Sequence, residues 1–259
     1  EIHSGDWSSD VCSSDLHVFD VTSPTMPVRI LNPAVDPVSG TFTLRFEDVV
    51  TDTRRYFALA SGQRMAPDNI SLDVPSDLHA TTNGADYIII THGDFVTEVI
   101  PLADYRATQG LRTKVVDVQD IYDEFNDGIF DPAAIREFLA YAYEFWVSPA
   151  PTYVLLVGDG TYDFRDYRGR HEPNYIPPYL AYVDPWIGEV AADNRYVCVS
   201  DEDILPDMHL GRLPIKTSAE AAAVVSKILT YEQNPLSGDW NWRTLFVADN
   251  ADDAGDFAS

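Results

Sequence analysis

Asp86-Tyr87-Ile88-Ile89-Ile90-Thr91 (DYIIIT) decides the fold of this chain. Its three successive isoleucines show no polar alternation, so a strand there buries both faces, as strands do in a parallel sheet covered by helices on either side. The residues that follow agree. Phe95, Val99, Leu102 and Arg106 recur at helical spacing from about Asp94, and Gly110 is placed to stop that helix. Thr113 to Val118 (TKVVDV) reads as a second strand. Asp131-Pro132 opens another helix, an acceptor side chain ahead of a proline in the first turn, and Ile135, Phe138, Leu139, Ala142 and Phe145 form its apolar stripe. Thr152 to Gly158 (TYVLLVG) is a third buried strand that runs straight into Asp159-Gly160-Thr161-Tyr162-Asp163.

Beyond it, residues 164–190 read as irregular, Tyr196 to Val199 as a strand, and Leu210-Gly211-Arg212 as a short tight segment. Thr217 and Glu220 stand at capping-box spacing before a helix with Ala221, Val224, Val225 and Ile228 on one side. Thr244 to Ala248 (TLFVA) reads as a last strand, ending at Asp249-Asn250. Strands alternating with amphipathic helices predict an α/β fold, a largely parallel sheet with helices on both faces, over residues 85–259. Residues 17–84 differ. Short β-rich runs at His17 to Val21, Pro27 to Leu31, Thr41 to Phe46 and Arg55 to Ala60 alternate with turn pairs, which predicts a fragment of an all-β, sandwich-like domain. Residues 1–16 (EIHSGDWSSDVCSSDL) resemble the translation of a sequencing-library adapter and are set aside as a non-native leader, with Trp7 expected to lie free of the core. That leaves Cys198 as the native cysteine, and the cysteine count does not fix a redox compartment.

The sequence holds 42 acidic and 17 basic side chains, a formal net charge of -25. Such a surface repels a phosphate backbone and an anionic leaflet alike, so neither nucleic acid nor a lipid surface is an expected partner. No apolar run approaches the ~20 residues of a membrane-spanning helix, and the amino terminus lacks the pattern of a signal peptide.

Ligands of open parallel sheets bind beyond the carboxyl ends of the strands. Three such ends are polar here: Thr91-His92-Gly93-Asp94, Gly158-Asp159-Gly160 and Asp249-Asn250. His92, Asp159 and Asp249 are therefore candidates for the active-site edge, with turn and capping roles as the plain alternative. Cys198 lies in the alternating run Tyr196-Val197-Cys198-Val199, where a thiol reads as core material. The acidic cluster Asp201, Glu202, Asp203 and Asp207 reads as a solvated loop, as a hard-cation site with no EF-hand spacing, or as part of substrate recognition.

The succession DYIIITHGDF, QGLRTKVV, IYDEFNDGIFDPAAIREFL, PTYVLLVGDGTYD, ADNRYVCVSDEDILPDMHLGRLPIKT, VVSKILTYEQNP and WRTLFVADN, from residue 86 to residue 250, resembles the front portion of the catalytic domain in gingipain-type cysteine peptidases. It is most similar to the branch that contains the type IX secretion sortase, in which a β domain precedes the catalytic one. The resemblance implies a caspase-like sheet, a protein or peptide substrate, and a bacterial extracellular or cell-surface location. It implies no required cofactor, with a structural calcium as one of the readings of the acidic cluster. The mechanism it implies is attack by a cysteine thiolate with a histidine moving protons. In the family both groups lie beyond the last strand read here, so the dyad is expected downstream of Ser259 and no catalytic residue is assigned within the chain. An ungapped match on Asp193, Tyr196 and Gly211-Arg212 places Asp203 at the pocket aspartate of arginine-specific members, where a carboxylate would receive a guanidinium. Two other readings stand beside the peptidase. One is a metal-dependent nucleotide- or sugar-handling enzyme using Asp201-Glu202-Asp203, against which the missing glycine-rich phosphate loop argues. The other is an inactive scaffold of the same family.

Overall fold

A computed structural model describes residues 16–247 except 24, 39–40, 50–51, 64, 67–71 and 201–202. The chain divides into two compact units, residues 1–73 and residues 74–259. In the first, β1 (Leu16–Asp20), β2 (Val28–Ile30), β3 (Ala34–Val38), β4 (Thr41–Arg45) and β5 (Tyr56–Ala60) pair antiparallel throughout, as the order β2-β1-β5 and the hairpin β3-β4. Antiparallel β structure is what the turn-punctuated sequence predicts, although β3 was not read from it. Leu16 pairs with Ala60, so native-like structure begins one residue inside the stretch set aside as a leader. Trp7 and the rest of that stretch lie outside the described residues.

The second unit holds β6 (Tyr87–Thr91), α1 (Val96–Thr108), β7 (Thr113–Asp117), α2 (Val118–Phe125), α3 (Pro132–Phe145), β8 (Tyr153–Val157), β9 (Leu180–Asp184), β10 (Gly188–Ala191), β11 (His209–Leu213) and α4 (Ser218–Gln233). Four strands form one parallel sheet in the order β11-β8-β6-β7, and β9 and β10 form a separate antiparallel hairpin. The isoleucine run behaves as a doubly covered strand must. Ile88 and Ile90 face one core with Phe138, Leu139 and Ile121 of α3 and α2, while Ile89 faces the other with Val99 and Leu102 of α1 and Val225 of α4. All three isoleucines are fully buried. Removing a side chain such as Phe138 from this interior costs about 3–5 kcal/mol.

Local signals place the helices. Asp131 accepts the Ala133 N–H ahead of Pro132, and Thr217 and Glu220 form the reciprocal capping box. Asp117 ends β7 and at once caps α2 by accepting the Gln119 N–H at 3.0 Å, so Val118 is helical rather than the end of the expected strand. The expected strand at Tyr196 to Val199 is instead a 3-10 helix, Asp193–Val197. Tyr196, Val197 and Cys198 are buried in succession, which a two-residue alternation does not allow and a tight turn does. Residues 164–190, read as irregular, contain the β9-β10 hairpin. The expected last strand is absent over residues 244–247, where Leu245, Phe246 and Val247 are exposed; Ala248 lies outside the described residues.

The division between units falls near residue 74, earlier than the 84/85 boundary read from the sequence. Leu78 is buried in the core of the second unit, and the Trp146 indole donates to its carbonyl at 3.0 Å. The Glu124 carboxylate accepts the Ser76 hydroxyl, the Leu78 N–H at 2.7 Å and the His79 N–H at 2.9 Å. Burial pushes the Glu124 carboxyl up, but these donors outweigh it and hold the group below its usual range. At the amino edge of the sheet Arg112 grips Asp86, 2.6 Å at the shortest contact, and also donates to the Val147 and Pro149 carbonyls.

Candidate active site

Chain connections leave β6 in one direction and β8 in the other, so the crevice between their carboxyl ends is where such a sheet binds ligands. His92 stands at the end of β6. Its Nδ1 accepts the Asp94 N–H at 3.2 Å, which leaves the neutral ring's proton on Nε2, and its ring meets Tyr175 edge-on at 5.0 Å. Asp159 stands at the end of β8. Its carbonyl accepts the Tyr175 N–H at 3.0 Å and its carboxylate lies 3.2 Å from the Lys216 ammonium. His92 and Asp159 thus share one sheet edge with Tyr175 between them. The hydrogen bond from Lys216 to Asp159 raises the lysine above its ordinary value. Lys216, which the sequence did not single out, reaches the edge because Ile215 accepts the Asp159 N–H at 2.8 Å and holds the two exits together.

The two glycines around Asp159 are required by close approach. Gly158 has φ +147°, and a Cβ there would lie 2.8 Å from the Tyr175 Cβ; at Gly160 it would overlap the Ile176 carbonyl oxygen. Arg212, at the carboxyl end of β11, locks the same exit. It donates to Gly158 O and Ile176 O at 2.8 Å each, to Pro177 O at 3.1 Å, and to the Asp193 carboxylate at 2.6 Å. Asp193 also accepts the Tyr179 N–H at 3.3 Å, so Arg212 fixes the segment entering β9 and the start of the 3-10 helix together.

The model of peptidase family C25 matches residues 80–259. The chain belongs to this family, that of the gingipains. Among solved structures, dimeric latent PorU from Porphyromonas gingivalis is similar in fold, with a TM-score of 0.63 at 24% identity. That match covers 91% of this chain and 24% of the PorU chain. The complex of RgpB pro- and mature domains from the same organism matches at a TM-score of 0.42 and 21% identity, over 56% of this chain and 28% of that one. Comparison with curated proteins finds no match. The sheet flanked by helices is the caspase-like gingipain fold, with β strands ahead of it.

For a C25 chain the cysteine is the first group to place. Cys198 is only 4% exposed, and its thiol lies 3.2 Å from Asn194 O and 3.4 Å from Ile204 O, both acceptors for its proton. Burial pushes this thiol up, the reverse of what a nucleophile needs. It is core material, as its sequence context predicts. Asp203 accepts the Leu205 N–H at 2.8 Å and lines a cleft of about 360 Å³ together with Arg136, Tyr179, Leu180, Arg195 and Cys198. Asp207 accepts the Val199 and Ser200 N–H groups at 2.8 Å each. Among the described residues no group of three or more His, Cys, Asp or Glu is gathered to hold a metal. Asp201, Glu202 and Asp249 lie outside the described residues. No helix among the described residues is long and apolar enough to cross a membrane.

Proposed function

We propose that the parent protein is a cysteine endopeptidase acting on secreted proteins at the bacterial surface, with a sortase-like processing role. In this reading the present residues build the scaffold of its active site. The match of residues 80–259 to peptidase family C25 carries the proposal. The chain spans 24% of the PorU chain it resembles. The sheet edge with His92, Asp159 and Lys216 forms one wall of the substrate crevice, and the cleft at Asp203 supplies a subsite. Cys198 is buried with its thiol pushed up, which removes it as a candidate nucleophile, and the family resemblance supplies the nucleophile and its histidine from outside the residues read here. A thiolate formed there attacks the peptide carbonyl while the histidine delivers a proton to the leaving amine.

The test is peptidase activity of the protein extended past Ser259, measured on fluorogenic peptides with and without iodoacetamide. Thiol-sensitive cleavage by the longer protein and none by residues 1–259 supports the proposal. Cleavage that alkylation leaves intact contradicts it, and a folded but inactive longer protein identifies a scaffold.

A further inference from the structure

The cleft lined by Arg136, Arg195 and Asp203 stands out in a chain with 42 acidic and 17 basic residues. Other partly buried arginines grip a carboxylate: Arg106 holds Glu232, Arg112 holds Asp86 and Arg212 holds Asp193. Among the described residues the two guanidiniums of the cleft do not. Arg136 donates to the Cys198 carbonyl, at 3.2 Å from Nε and 2.7 Å from Nη2, and to no carboxylate among the described residues. The Arg195 side chain makes neither a hydrogen bond nor an ion pair among the described residues. Among the described residues Asp203 is the one carboxylate in the lining, and it spends one oxygen on the Leu205 N–H. Asp207 is committed to two backbone N–H groups and is not among the residues lining the cleft.

Partly buried guanidiniums retain unspent donors only at a cost, and a carboxylate is the ligand whose geometry takes two of them at once. A volume of about 360 Å³ accepts a glutamate-sized side chain with its flanking backbone. Leu180 and Ala181 of β9 form another wall, and β9 pairs on one side only, with β10, among the described strands. An extended peptide laid along the second side of β9 would gain main-chain hydrogen bonds and carry a side chain into the cleft.

We propose that this cleft is a subsite for an acidic residue of an extended peptide, with Arg195 and Arg136 as its charge partners. Its purpose rests on the peptidase reading; its chemistry does not. A substrate arginine entering here would meet two like charges, so Asp203 tempers the cleft rather than defining an arginine pocket.

The test is fluorescence anisotropy with the 259-residue chain and labelled acetyl-Ala-Ala-Glu-Ala-Ala-amide, against the same peptide with Gln for Glu. The Glu peptide is expected to bind at least about tenfold tighter at low ionic strength, as a doubly charge-assisted contact should. Arg195→Gln should reduce the ratio to within about twofold at an unchanged melting temperature, since among the described residues that side chain makes no hydrogen bond or ion pair. Asp203→Asn should raise affinity for the Glu peptide, whereas an arginine pocket predicts no such gain. Equal binding of the two peptides, or a Glu preference that survives in a folded Arg195→Gln protein, overturns the assignment. Glutarate is the second arm: if it binds as tightly as the peptide, the site belongs to small anions and the assignment also fails. Thiol-sensitive cleavage by the longer protein without a Glu preference would remove the cleft and keep the peptidase. A Glu preference without cleavage would do the reverse.

Discussion

Replacing Arg212 with alanine removes the clamp on the β8 exit. The side chain makes four hydrogen bonds, one of them a 2.6 Å ion pair with Asp193, and the two partners are 18% and 25% exposed. Breaking a fully buried pair costs about 3–5 kcal/mol. Here water can reach the abandoned Asp193 carboxylate and part of the three freed carbonyls, which brings the expected loss to about 3 kcal/mol. For a folding unit of this size that is a fall of about 6–12 °C in melting temperature. Arg212→Lys keeps the charge but not the fork, so it should recover less than half of the loss. The measurement is thermal and urea unfolding followed by circular dichroism, with the peptide anisotropy read in parallel. Because Asp193 links Arg212 to Tyr179, the Glu preference should weaken even where the protein remains folded. An alanine variant within about 0.5 kcal/mol of the parent, the range of ordinary surface changes, would refute the clamp. So would full rescue by lysine.

Gly160→Ala should cost about 2–3 kcal/mol, because its Cβ overlaps the Ile176 carbonyl and crowds Asn174; wild-type unfolding midpoints would contradict this. Tyr122→Phe should be neutral or stabilise by up to about 1 kcal/mol, since the hydroxyl is buried with no partner among the described residues; a loss above about 1 kcal/mol in urea unfolding would reveal a further bond. Stability should fall with acid. The hydrogen bonds from Arg112 hold the Asp86 carboxyl below its usual range, and the donors at residues 76–79 do the same for Glu124 against burial. Each folded-state pKa is depressed, so the contribution is complete above the ordinary carboxylate range and is lost as pH falls through the folded value. Melting temperature should therefore drop between neutral pH and about pH 3, and Glu124→Gln should remove part of that slope. A flat profile would contradict it.

The sheet was legible because DYIIIT and TYVLLVG bury both faces, a demand that leaves its mark in the local sequence. The starts of α3 and α4 were legible for the same reason, since an aspartate cap before a proline and a capping box are each complete within four residues. Where tertiary partners decide, periodicity misled. Val118 continues an apolar run but follows a capping aspartate, and Tyr196 to Cys198 turn inward because Asp193 is held by Arg212 and Tyr179. The last strand failed because a strand needs a neighbour, and residues 244–247 have none among the described strands. At the site, topology alone brought His92 and Asp159 to one edge. Lys216, Arg136 and Arg195 come from separated parts of the chain, and no spacing rule points to them.

The chain belongs to a cysteine peptidase family, and its buried Cys198 is a poor nucleophile. Cleavage of a fluorogenic peptide by the protein extended past Ser259, in the parent and in Cys198→Ala, each before and after alkylation by iodoacetamide, separates Cys198 from the reacting thiol. Cleavage is expected that alkylation abolishes in both proteins and that Cys198→Ala retains. Activity lost in a folded Cys198→Ala protein, or cleavage indifferent to alkylation, would contradict it.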